Sequence, residues 1–246
     1  MAEPLTLLII GLVFVLAGCV KGVVGFGLPS VSLSLLALSL GIQEAVTLFL
    51  APTIVTNIWQ ALSGGHGGAL LRRFWSLLLT TNLTVWIGAL AYNRVDVRLI
   101  TMTLGVVLVV HSLLNLTRTQ MTIATHQQGW AGGLTGGVGG LLGGMTGSFL
   151  VPGVLYLKAT GLPRDPLVQA TGILFASSTT MLALALGHQR ILTVDLGLLS
   201  LAAVFPAIIG MRLGQRIRAG LSETRFRRVF FLVMLILGCY MMFRSL

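Results

Sequence analysis

Residues Gly129–Gly153 read GWAGGLTGGVGGLLGGMTGSFLVPG. Gly132, Gly136, Gly140 and Gly144 recur every four residues, and so do Gly139, Gly143 and Gly147. A four-residue step keeps each series close to one face of a helix. In water each glycine would cost the helix ~1 kcal/mol relative to alanine. In a bilayer the backbone must close its own hydrogen bonds, and a smooth glycine face lets a second backbone come close. The stretch therefore reads as a tightly packed membrane helix. Its end reads as a break, because Gly144–Pro152 joins glycine, which allows unusual φ, to proline, which lacks a donor.

The composition of the chain agrees. It has 246 residues, 55% of them hydrophobic and 9% charged, where globular domains carry ~25% charged residues. Mean hydropathy is +0.96. So few charges cannot cover a soluble domain of this size, and a disordered chain is excluded too. The 31 glycines are close to twice the usual ~7%, without the G-X-Y period of collagen.

A membrane crossing takes ~20 apolar residues. Outward from the glycine stretch, apolar segments run over 5–24, 28–40, 42–62, 74–92 and 99–116, then 129–145, 148–160, 167–187, 196–211 and 229–243. Each half has the same order: a glycine-rich helix, a break, a short helix, a glycine turn, a long helix and two more spans. A shift of 120 residues aligns Gly27 with Gly147, Val31 with Val151, Leu35 with Leu155, Gly41 with Gly161 and Asn57 with Ser177. The expectation is an all-α polytopic membrane protein of two homologous, inverted repeats with about five helical segments each. Residues 1–118 form the first repeat, 119–128 a linker and 129–246 the second, with broken helices at Gly25–Pro29 and Gly144–Pro152.

The net charge of +10 would suggest nucleic acid in a soluble protein, but here the basic residues lie between apolar runs. Ten crossings place Lys21, Arg72, Arg73, Arg118, Lys158, Arg164, Arg212, Arg216, Arg218, Arg225, Arg227 and Arg228 on one side, 12 in all, and Arg94, Arg98, Arg190 and Arg244 on the other, 4 in all. Eight crossings, with the short pieces dipping in and returning, give 11 against 5. Both obey the positive-inside rule, the first slightly better. The basic side is then cytoplasmic, and nucleic acid is not a partner. The run Leu16-Ala17-Gly18-Cys19 imitates a lipoprotein cleavage site, but residues 1–20 hold no Lys or Arg to start a signal peptide. Cys19 and Cys239 lie in apolar runs and read as packing residues.

The segment Gly18-Cys19-Val20-Lys21-Gly22-Val23-Val24-Gly25-Phe26-Gly27 resembles the first glycine signature of the sulfite exporter TauE/SafE family. Gly136–Gly147 followed by Phe149-Leu150-Val151-Pro152 resembles the second, and the Gly161-Leu162-Pro163 turn also suits the family's layout. The resemblance covers almost the whole chain. The first half departs from the pattern in having one glycine after Phe26 and an early Pro29. The resemblance implies transport of sulfur-containing or organic anions across the bacterial cytoplasmic membrane, without choosing among substrates.

Backbone N–H groups left unpaired at a broken helix suit an anion. Gly25, Phe26 and Gly27 are the backbone candidates in the first break, and Thr146, Gly147 and Ser148 in the second. On the long helices, Thr53, Asn57 and Gln60 share a face at i, i+4, i+7, and the partner helix carries Ser177 and Ser178. Neutral donors on facing helices can coordinate an oxyanion or simply bond each other. Lys21 either meets the anion or snorkels to the interface. Glu44 and Asp165 begin the long helices, where acids suit the dipole. His111 and Asn82 lie mid-span, and His66 in a loop.

No metalloprotease, Walker A or paired-cysteine metal motif is present. The expectation is a secondary transporter of a small anion (sulfite, an organosulfonate or another organic acid) and not an enzyme. It works by alternating access at a midplane site, with no cofactor and with coupling to protons or sodium left open. Membrane lipids are the other expected partner, and the oligomeric state is left open. The alternatives are a passive anion channel, which would need a continuous polar stripe, and a membrane scaffold or assembly factor, which would need a large soluble loop.

Overall fold

The computed structural model describes residues 3–117, 122–217 and 223–245, the side chains of 223–225 excepted. Arg118 and Arg218, the side chain of Arg225 and part of the expected linker fall outside the described residues. Thirteen helices are described: α1 Pro4–Val24, α2 Leu28–Ser39, α3 Ile42–Leu62, α4 Gly67–Arg73, α5 Trp75–Ala89, α6 Ala91–Arg94, α7 Val97–Leu116, α8 Gln128–Thr146, α9 Leu155–Ala159, α10 Arg164–His188, α11 Val194–Ala202, α12 Val204–Ile217 and α13 Glu223–Ser245. Among the described residues there is no strand.

The protein is an all-α, multi-pass membrane protein. Among the described residues, six helical stretches are long and apolar enough to cross a bilayer: Pro4–Val24, Ile42–Leu62, Val97–Leu116, Arg164–His188, Val194–Ile217 and Phe226–Ser245. Gly67–Arg73 and Trp75–Arg94 together make a bent candidate, at 74°. α8 is not among the six, because its glycines lower its hydropathy. Leu28–Ser39 and Leu150–Ala159 are short apolar pieces.

Packing joins the two halves of the chain. α1 lies along α12, α8 along α5, α3 against α10 and α7 against α13. Glycines set these distances. A Cβ on Gly18 or Gly22 would strike the α12 backbone at Ala207 or Met211, and one on Gly210 or Gly214 would strike Val15 or Cys19 in return. Gly136, Gly140 and Gly144 meet Leu77, Thr81 and Val85 of α5 in the same way, and Gly105 faces Gly238 between α7 and α13. The four-residue spacing is thus a set of helix contacts made through bare backbone. Gly139 and Gly143 turn a second face of α8 onto Pro152 and Phe149, whereas Gly137 has nothing within 4 Å of its added Cβ.

α3 carries Pro52 inside the helix. Proline cannot donate to the carbonyl four residues back. Ser200 of α11 fills that place: its Oγ donates to the Leu48 carbonyl at 2.9 Å and accepts from Ala51 N–H at 3.0 Å. A polar neighbour that re-satisfies freed backbone is what permits proline in a membrane helix.

Pro29 differs from expectation. It does not break a helix but lies in the first turn of α2, where its missing N–H costs nothing and its fixed φ suits the helix. Gly144 also stays helical, within α8. The chain leaves helical geometry at Gly25–Gly27 and at Gly147–Phe149, with Val151 extended at φ −118, ψ 131.

Candidate functional site

The two junctions use the same backbone device. α1 is capped by Gly25 at φ 91, whose N–H donates to the Lys21 carbonyl at 2.8 Å. α8 is capped by Gly147 at φ 77, whose N–H donates to the Gly143 carbonyl at 2.7 Å. Left-handed φ favours glycine at both places. In this role Gly147 matches Gly25, two residues from the expected alignment with Gly27, whereas Gly41 caps the start of α3 and Gly161, also at positive φ, closes α9 three residues before α10. Each junction rests on a long helix of the other half. A Cβ on Gly25 would lie 3.1 Å from Val168 of α10, and one on Gly147 would lie 3.1 Å from Phe49 of α3.

Lys21 is one turn before the first junction and is only 3% exposed. It does not snorkel. Its Nζ donates to Asn57 Oδ1 and, at 3.1 Å, to Thr56 Oγ1, both on α3. Thr56 Oγ1 in turn donates to the Pro52 carbonyl at 2.7 Å. Both partners of the ammonium are therefore neutral. Glu3, Glu44, Asp96, Asp165 and Asp195, the carboxylates with described side chains, are all exposed. Burying an ammonium without a counter-charge costs several kcal/mol, only partly offset by neutral hydrogen bonds. The field at this point favours an anion.

The buried hydroxyls of α2, α3, α10 and the second junction divide into two groups. Ser32, Ser34, Thr47, Thr56, Thr146 and Thr171 donate to carbonyls of their own helices. Ser30, Thr53, Ser148, Ser178 and Thr179 have buried hydroxyls with no hydrogen-bond partner, and the Asn57 Nδ2 is in the same state. Buried polar groups are rarely left so. Thr53 and Asn57 belong to α3, Ser178 and Thr179 to α10, Ser30 to the start of α2, and Ser148 to the second junction.

The predicted residues therefore separate. Lys21 and Asn57 are joined directly, with Gly25, Phe26 and Gly27 in the junction one turn further on. Thr146 accepts from the Ser148 N–H at 3.2 Å, stiffening the second junction. Ser177 is half-buried and donates to the Leu174 carbonyl of its own helix at 3.1 Å, not across to α3. Gln60 donates to the Val168 carbonyl at 2.6 Å and serves helix packing. Glu44 and Asp165 occupy exposed first turns of α3 and α10. Sequence reasoning missed Thr56 as a partner of Lys21. Its signal was its place beside Asn57, close to Pro52.

The model of the family described as sulfite exporter TauE/SafE matches residues 10–241. No curated protein and no solved structure matches the chain. The chain belongs to the sulfite exporter TauE/SafE family, a family of membrane transporters.

Proposed function

From membership of the TauE/SafE family as the premise, we propose that this protein is a secondary transporter of a small oxyanion, sulfite first among them, in a bacterial cytoplasmic membrane. The observation that carries the reading is Lys21, buried one turn before a helix junction and held only by Thr56 and Asn57. The ammonium supplies charge to the anion. Asn57 Nδ2 and the partnerless hydroxyls of Ser148 and Ser178 supply neutral donors. Backbone N–H groups of Phe26 and Gly27 complete the shell, while those of Gly25 and Gly147 are held by the Lys21 and Gly143 carbonyls and fix the junctions. Ser177 positions its helix and does not touch the ligand.

In this reading the halves are inverted repeats and the junctions are broken helices of their first spans. The pairing of α1 with α12 and of α8 with α5, and the matching left-handed caps at Gly25 and Gly147, support it. Alternating access is a rocking of the halves about Lys21, with the basic side facing the cytoplasm.

The test is sulfite uptake into proteoliposomes of the purified protein. Saturable uptake, accelerated by sulfite preloaded in the lumen, is the expected result. Flux that neither saturates nor shows counterflow would mean a passive channel, and flux equal to that of empty liposomes would refute anion transport.

A further inference from the structure

A second cationic cluster touches the first junction from a different direction. Lys158, in α9, donates from Nζ to Asn115 Oδ1 of α7 at 2.6 Å. The same Nζ lies 5.1 Å from the centre of the Phe26 ring. His111 lies one turn before Asn115 and packs edge-on against Phe26 at 6.3 Å and Phe231 at 5.5 Å. The Asn115 Nδ2 donates to the His111 carbonyl at 2.7 Å. His111 is 2% exposed, and its Nδ1 is buried without a partner, as is the Ser112 Oγ beside it. Arg227, in α13, lies one turn before Phe231, on the helix face that meets His111.

Two fixed cations and an imidazole thus gather where the described residues supply no carboxylate partner. Lys158 and Arg227 are half-buried, and like charges brought together where water has reduced access repel unless an anion lies between them. Asn115 Oδ1 accepts one hydrogen bond from the ammonium and Phe26 offers its face to the charge. Neither neutralises it. The His111 Nδ1 and the Ser112 hydroxyl add two polar atoms with nothing to bond.

We infer that Lys158, Asn115 and His111, with Arg227 alongside, form a second binding station for a small oxyanion, in series with Lys21. Lys158 and Arg227 supply charge, while His111 and Ser112 supply directed hydrogen bonds to oxygen. Phe26 links the stations, since its ring lies under Lys158 and its backbone belongs to the junction that Lys21 precedes. The inference rests on the Lys21 reading only for the order of the stations along the path. Binding at Lys158 stands apart from it.

The experiment is equilibrium binding of radiolabelled sulfite to the full-length protein in lipid nanodiscs. Wild type binds two equivalents, Lys158→Met one, Lys21→Met one, and Lys158→Arg two. Should Lys158→Met fail to elute as a monodisperse species, Asn115→Leu, which keeps the charge, takes its place with binding at the second station at least ten-fold weaker. Stoichiometry that is unchanged in Lys158→Met overturns the second station and leaves the Lys21 reading intact. Loss of one equivalent in Lys158→Met but none in Lys21→Met supports the station and overturns the Lys21 reading. Wild type that binds no sulfite overturns both.

Discussion

Four residues before Gly25 the chain has Lys21, and four residues before Gly147 it has Gly143. At the first junction that position reaches across to Thr56 and Asn57 of α3. At the second it has no side chain, and the ring of Phe149 fills the space: a Cβ on Gly143 would fall onto the Phe149 Cδ1 and Cε1 atoms. The caps themselves are alike in φ and in hydrogen bonding. One backbone device thus serves two ends. The first junction holds a buried cation, and the second is an apolar plug with hydroxyls beside it. A transporter with a charge in both junctions would bury two cations at a cost of several kcal/mol each. With one, a single anion balances the site.

Substitutions can break this comparison. Asn57→Leu has the largest expected effect on binding. It removes the acceptor of the Lys21 ammonium and the free Nδ2 donor. A hydrogen bond to a charged group contributes about 1.5–3 kcal/mol, so sulfite affinity falls at least ~10-fold, measured by binding titration. Gly143→Ala acts on the other junction and on stability. The methyl group displaces the Phe149 ring at a cost of about 1–3 kcal/mol, read as a lower apparent Tm with sulfite affinity within a few-fold of wild type. The smallest effect is that of Ser178→Ala, which removes one neutral donor worth about 0.5–1.5 kcal/mol and weakens sulfite by ~3- to 10-fold. A Ser178→Ala variant that lost as much as Asn57→Leu would show that the halves contribute equally and that the charge is not central.

Much of the fold was legible in the sequence because hydropathy and turn residues are local. The ten apolar segments all appear as helices, and the expected 42–62 matches Ile42–Leu62 at both ends. The glycine turns at Gly41 and Gly161 both lie at positive φ between a short helix and a long one, as read. Pro29 misled, because proline near a glycine pair signals a break and a helix start equally well, and only the following turn decides. The 74° bend between α4 and Trp75–Arg94 left no such mark.

The site was legible by residue type and not by partner. Lys21 and Asn57 stood out as polar groups in apolar spans, but nothing local says that they meet. In helices that are apolar on nearly every face, hydropathy does not fix rotation, so contacts 35 and 36 residues apart are set by the glycine contacts between helices. The face Thr53, Asn57, Gln60 was read from helical spacing. Rotation and the Pro52 turn instead bring the sequence neighbours Thr56 and Asn57 to Lys21, and leave Gln60 on the Val168 carbonyl. Lys158 counted only toward the sidedness of the charges, although it points back to Asn115 and Phe26.

The central claim is that Lys21 supplies the charge that holds the anion. Sulfite counterflow in proteoliposomes, with wild type and Lys21→Met reconstituted side by side, tests it most directly. Methionine has a similar length and no charge; it relieves the buried charge but leaves the Asn57 Oδ1 without its donor, at a cost of about 1–3 kcal/mol. A monodisperse Lys21→Met protein whose counterflow falls to the level of empty liposomes is the predicted result. Counterflow at the wild-type rate and half-saturation would contradict it.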